Sequence, residues 1–232
     1  MWQHVVMQAG RGSKATLPRS PRRDAVANKE RLLEAALHAI GRDGLAVPVS
    51  VIAAEAGVGV ATFYRSFPDR HALMVALEHR AYDKLIEILR SITARRMEGL
   101  DAVREFLVAS VAIGAELILP LHGAPVLIDE QAVAKRQMID ALIEAFLDQG
   151  RASGAVKQEV NATDVIVCSA LLTQPLRQSP DWRRSATRHL ALFVSGIASE
   201  GVLPLPPVRQ RDIESTFRDR AAGAGRSRGQ SR

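Results

Sequence analysis

The side chains best equipped for chemistry sit close together, and the chemistry they suit is non-covalent. From Val47 to His71 the chain reads Val-Pro-Val-Ser-Val-Ile-Ala-Ala-Glu-Ala-Gly-Val-Gly-Val-Ala-Thr-Phe-Tyr-Arg-Ser-Phe-Pro-Asp-Arg-His. Thr62 carries a hydroxyl that can hydrogen-bond a base or a phosphate and a methyl that can touch thymine. Val60 and Ala61 offer apolar contact to thymine methyls. Tyr64 can donate its hydroxyl to a phosphate while its ring stays on a small core. Arg70 can hold a phosphate beside the amides of a helix N-terminus, and Ser50 can do the same one helix earlier. These are means of gripping and reading a nucleic-acid duplex.

Covalent chemistry has no comparable set. The chain lacks Gly-x-Ser-x-Gly and His-Glu-x-x-His, and no group of His, Cys, Asp and Glu has zinc spacing. Neither catalytic residues, nor a metal, nor a cofactor is expected. Gly57-Val58-Gly59 is not a dinucleotide loop, because Thr62 stands at the third glycine position and a helix precedes it. The lone cysteine, Cys168, lies in an apolar run and reads as a core residue; with one cysteine no intramolecular disulfide forms. His122 and His189 read as structural or solvent-facing.

The elements that must position the 47–71 group follow from spacing. Leu33, Ala36, Leu37 and Ile40 give one face of a helix over 25–42. Ser50–Ala56 and Val60–Ser66 are short helices that meet at Gly57, which can take the positive φ of a sharp turn. Ala53 and Ala56 allow close approach, Val58 plugs the joint, and Phe63 and Phe67 share an inward face. Phe67-Pro68 ends the second short helix, and Asp69 caps a long one over about 69–95. Tight helix pairs of this kind place their second helix in a major groove.

The second half is also helical. Expected helices run 100–119, 126–151, 162–176 and 180–200, the third capped by Asn161 or Thr163 and the fourth by Ser179-Pro180. The run Val165–Leu172 is apolar nearly all round and must be buried on several sides. No alternating strand of useful length occurs, so the fold class is all-α, with about nine helices.

The chain has 232 residues, 47% of them hydrophobic, enough for a real core. Its net charge of 31 − 25 = +6 is concentrated near the ends, which favours a polyanion partner. Residues 1–24 read as a disordered basic arm able to reach a minor groove, and 202–232 as a disordered Pro/Arg/Gly-rich tail. No apolar run approaches the ~20 residues that span a bilayer, and no signal peptide is recognised, so a cytoplasmic location and no membrane partner are expected.

Residues 49–73 resemble the TetR/AcrR family of bacterial transcriptional regulators. The match consists of Ile52-Ala53, Ala56-Gly57-Val58, Thr62, an aromatic at Phe63, Tyr64-Arg65, Phe67-Pro68 and then Arg70. Leu32-Leu33-Glu34-Ala35-Ala36 is similar to the family's first helix, and the detailed likeness covers about 28–80. Ala61 stands where the family usually has glycine, Ser66 where histidine is frequent, and Pro48 where a capping threonine is frequent. A phosphate contact at Ser66 is therefore not expected, and Ser50 becomes the local cap or phosphate donor. Asp164, Trp182-Arg183-Arg184 and Ser195-Gly196-Ile197 are laid out more loosely like a regulatory domain in one branch of the family.

The resemblance implies a helix-turn-helix domain over 25–70 (motif about 48–67) and a helical effector-binding and dimerisation domain over 71–201. It implies double-stranded operator DNA as partner and a homodimer formed through 162–176 and 180–200. It also implies a small, largely apolar effector, with Phe106, Ser110, Glu116, Met138 and Cys168 as candidate lining residues. The protein would be a repressor released from a palindromic operator. Two other classes fit the composition: an architectural protein binding DNA without sequence choice, and an all-α enzyme that borrowed a helix-turn-helix-like unit.

Overall fold

The computed structural model describes residues 21–218 apart from 125, 175–181, 199 and 204. Most of the basic arm, the Ser179-Pro180 cap and the tail from 219 onward lie outside the described residues. Among those described there are nine α-helices, two 3-10 turns and no strand. None of the helices described is long and apolar enough to cross a membrane.

The helices are α1 (Pro21–Asp43), α2 (Val49–Glu55), α3 (Val60–Ser66), α4 (Arg70–Ala94), α5 (Gly99–Ala112), α6 (Glu130–Ala152), α7 (Ala162–Thr173), α8 (Trp182–Ala198) and α9 (210–218). Their ends follow local chemistry. Asp69 caps α4 through its carboxylate on the Ala72 amide at 2.7 Å, and Asp129 caps α6 on the Ala132 amide at 2.9 Å. At α7 a reciprocal box forms: Asn161 accepts from the Asp164 amide at 3.1 Å, and Asp164 accepts from the Asn161 amide at 3.0 Å.

Two apolar cores stack along α4. The N-terminal core joins Leu32, Ala36 and Ala39 of α1 with Ile52 and Ala53 of α2, Phe63 of α3, and Leu73 and Leu77 at the start of α4. The C-terminal core joins the rest of α4 to α5–α8 through Leu85, Leu89, Phe106, Ile143, Val165 and Leu190, among others. Because α4 passes through both, it carries position from one core to the other.

Three expectations need correction. The helix over 100–119 ends at Ala112. Gly114 then packs against α7 so closely that a Cβ there would lie 3.1 Å from the Thr173 carbonyl oxygen, and the chain leaves the helix to make that approach. In α6 the inward stripe is Ile139, Ile143, Phe146 and Leu147, while Met138, expected to line the effector pocket, is exposed. An arginine, Arg136, belongs to the buried face, and that charge displaces the apparent phase of the helix. Finally, residues 210–218 are helical and bury Phe217, although their surroundings read as a disordered tail.

Candidate nucleic-acid interface and ligand cavity

The turn between α2 and α3 works as glycine and small residues dictate. Gly57 has φ +66°, and the Val58 amide donates to the Ala53 carbonyl at 3.0 Å. Phe63 and Phe67 are fully buried with ring centroids 5.8 Å apart, and Lys29 of α1 lies 5.4 Å over the Phe67 ring. With Phe63 facing in, the helical period turns Val60, Ala61, Tyr64 and Arg65 outward, and all four are exposed. The Tyr64 ring stands edge-on to Phe63, with centroids 5.4 Å apart, so its rigid body is braced on the core and its hydroxyl is free to reach outward.

Polar partners within this unit restrict what each side chain can do. Thr62 is half-buried and its Oγ1 accepts from Arg65 at 2.7 Å, which ties the base-reading hydroxyl to an exposed guanidinium. Ser66 donates back to the Thr62 carbonyl at 3.1 Å. Ser50 is exposed in the first turn of α2 but does not cap it; Pro48 occupies that position, and no side chain caps it. Arg70 is half-buried, and its guanidinium donates to the carbonyls of Leu45 and Val47. In this conformation it fastens the α1–α2 link to α4.

A second site lies in the C-terminal core. A cavity of about 90 Å³ is enclosed by α4–α7, the Leu117–Leu121 segment and α9. Its walls are largely apolar, with Leu85, Phe106, Leu117, Leu119 and Ile139 among them. One buried cation faces it. The guanidinium of Arg136 donates to both carboxylate oxygens of Glu214 from α9, at 2.5 and 2.9 Å. It also donates to the Leu127 carbonyl at 3.0 Å and to the Tyr82 hydroxyl at 3.4 Å. Tyr82 in turn donates to Glu78 at 2.8 Å. Burial lowers the Arg136 pKa, and the bonds to Glu214 and Tyr82 more than reverse that, so it stays a cation. Burial pushes the Glu78 carboxyl up to about 7.

The model of the bacterial regulatory proteins of the tetR family matches residues 32–77, the whole of α2 and α3 with their supports. No curated protein sequence matches the chain. Among solved structures, a TetR transcriptional regulator of Streptomyces coelicolor is 26% identical; the alignment covers 75% of this chain and 99% of that one, with a TM-score of 0.53. A TetR regulatory protein of Mycobacterium vanbaalenii is 25% identical over 77% of this chain and 99% of its own, again with a TM-score of 0.53. Residues 32–77 carry the DNA-binding domain of the TetR family, on a fold shared with TetR regulators. The chain is a DNA-binding transcriptional regulator with a helix-turn-helix unit. A further TetR-family protein of S. coelicolor shares the fold at 16% identity and a TM-score of 0.61, over 75% of this chain and 90% of that one.

Within this helix-turn-helix unit the expected DNA-reading residues Val60, Ala61, Thr62 and Tyr64 come together on α3, with Ser50 exposed on α2. Of the expected lining residues only Phe106 reaches the cavity. Met138 is exposed, with its sulfur 3.4 Å from an Arg90 nitrogen. Glu116 pairs with Lys84. Ser110 is fully buried in α5 with no hydrogen-bond partner among the described residues. Cys168 packs against the core, and burial pushes its thiol up to about 11. The reading from sequence missed Arg136, Tyr82 and the α9 residues. A lone arginine among apolar positions of a helix was the only available signal for the first, and the spacing of Ile213 and Phe217 for the last.

Proposed function

We propose that the regulator is a homodimeric repressor, released from palindromic operator DNA by a small, largely apolar ligand. The observation that carries this reading is a segment shared by both cores. Leu117 and Leu119 line the cavity, while Ile118 between them is buried in the N-terminal core that holds α1–α3. His122 braces the segment, its Nδ1 2.6 Å from the Leu117 carbonyl oxygen and its Nε2 3.0 Å from that of Ala170 on α7. A ligand that pushes on Leu117 and Leu119 therefore also pushes on the packing of the helix-turn-helix. It shifts the balance only by binding the released form more tightly than the DNA-bound form.

The dimer forms through α7 and α8. Leu171 is 67% exposed and Leu192 59% exposed, an apolar pair that a partner's equivalent helices would cover. Val167 lies one turn before Leu171, and Gly196 one turn after Leu192, where it allows close helix approach. Such a two-fold arrangement sets the two α3 helices against successive major grooves, roughly 34–36 Å apart or a longer matched spacing.

Two measurements test the reading. Selection from a random duplex pool returns a palindrome with two half-sites; recovery of sequences without symmetry or consensus contradicts it. Sedimentation gives a dimer that Leu171→Asp with Leu192→Asp converts to monomer, and a monomeric parent chain overturns the dimer.

A further inference from the structure

We propose that the cavity takes an amphipathic carboxylate, a hydrocarbon body ending in one carboxylate, and that α9 fills the same place until the ligand arrives. The inference rests on the reading above that this cavity is the ligand site of the regulator, and it names the ligand's chemistry.

The first support is the buried cation. Arg136 is 9% exposed, and a guanidinium at that depth needs an anion opposite it. The anion present is Glu214, held in the two-point geometry in which a planar guanidinium meets any carboxylate. A neutral apolar ligand that displaced Glu214 would leave Arg136 buried without an anion, and a cationic one is repelled by Arg136. A carboxylate can take over both bonds.

The second support is what carries Glu214. Gln210, Ile213, Glu214 and Phe217 stand at i, i+3, i+4 and i+7, one face of α9, and all four line the cavity. That face presents an aliphatic group, an aromatic ring and a carboxylate, with the Phe217 ring 5.5 Å below the Arg136 guanidinium. Chemically it is an amphipathic acid joined to the chain. The other residues of α9 from Arg211 to Arg218 are exposed.

The third support is that α9 is an addition to the body and not a part of it. Phe217 is buried but belongs to neither apolar core. The start of the segment is held by Asn161, which donates to the Val208 carbonyl at 2.9 Å. Displacing α9 therefore opens the cavity without dismantling α4–α8. Size demands the displacement: the cavity holds about 90 Å³, whereas a buried space of roughly 150 Å³ is what accepts benzene. Any ligand with a substantial hydrocarbon body must remove Ile213 and Phe217, and it then occupies the apolar walls that they covered.

Because α9 is tethered, Glu214 competes as an intramolecular ligand, and the apparent affinity for a free acid is reduced by the fraction of time α9 is docked. Calorimetry on the full chain with sodium decanoate, 1-decanol and decyltrimethylammonium tests this. Decanoate binds, and the alcohol and the cation bind at least about tenfold more weakly; Glu214→Gln, which leaves Arg136 in place, tightens decanoate by about tenfold or more. Bound decanoate also speeds tryptic cleavage at Arg211 and Arg218 as α9 leaves. Equal binding of decanoate and decanol, no decanoate binding, or an affinity unchanged by Glu214→Gln overturns the inference. Operator binding by the ligand-free protein is measured beside it. A chain that still binds its operator but ignores decanoate refutes the carboxylate and leaves the regulator standing.

Discussion

Ile118 and Leu119 are neighbours in the chain and are buried in different cores. Ile118, 7% exposed, belongs to the N-terminal core with α1–α3; Leu119, 9% exposed, lines the cavity. The extended backbone at Leu119, φ −130° and ψ 158°, sends successive side chains to opposite sides and so produces this division. Truncation at Ile118 removes a contact between the cores without touching the cavity wall. Ile118→Ala is expected to cost about 2–4 kcal/mol in stability, as large-to-small core changes do. At a temperature where the variant is folded, it should bind the ligand normally and release operator less completely. Ligand calorimetry beside a ligand-titrated gel shift checks this; normal release by the variant leaves α4 as the sole route between the sites.

Arg70 reads from sequence as a phosphate clamp, and the structure gives its guanidinium the carbonyls of Leu45 and Val47. Hydrogen bonds from a charged donor contribute about 1.5–3 kcal/mol each, so Arg70→Ala is expected to lower stability by roughly 2 kcal/mol or more. Urea unfolding measures it. An unchanged midpoint, together with a salt slope of DNA binding reduced by about one, would restore the phosphate role.

On α3 the division between gripping and reading can be separated by substitution. Tyr64→Phe removes one hydroxyl from a ring already braced on Phe63, so it should weaken binding to all duplexes by about 1 kcal/mol and leave their ranking unchanged. Thr62→Ala should reorder the preferred sequences and also free Arg65 from its 2.7 Å bond. Affinity arrays over single-base variants of the selected site distinguish the two. Uniform loss for Thr62→Ala would place it on the backbone.

Buried in α4, Glu78 makes stability depend on pH. Its carboxyl is raised by burial from 4.5 to about 7, so between those values the folded protein holds a proton that the unfolded chain has lost. The contribution is fully present below pH 4.5 and is lost as pH rises through 7. At 1.36 kcal/mol per pH unit the loss reaches up to about 3 kcal/mol. Glu78→Gln keeps an acceptor for the Tyr82 hydroxyl and carries no charge. It should flatten the decline and exceed the parent in stability at pH 8. Unfolding free energies from pH 4.5 to 8 report this; parallel curves for the two proteins would refute it.

What sequence made legible is local. Gly57, Phe63, Phe67-Pro68 and Asp69 each act on their own neighbours, and α2, α3 and the start of α4 fall where those residues put them. The cavity is not local. Its charge comes from Arg136, whose burial is tolerated only because Glu214, far along the chain, meets it; neither residue signals the other in sequence. Met138 illustrates the consequence. It is apolar and correctly spaced from Leu142, yet it points outward because Arg136 takes a place in the buried stripe. Gly114 likewise ends a helix for the sake of Thr173 on α7, a contact between distant parts of the chain.

The central claim is that the exposed face of α3 reads sequence in duplex DNA. Competition between the selected duplex and random duplex, followed by fluorescence anisotropy at physiological salt, tests it most directly. The account predicts a preference of about a thousandfold or more for the selected site, reduced by Thr62→Ala. Equal displacement by random duplex would contradict it, and would make the chain a basic protein that binds DNA without choosing among sequences.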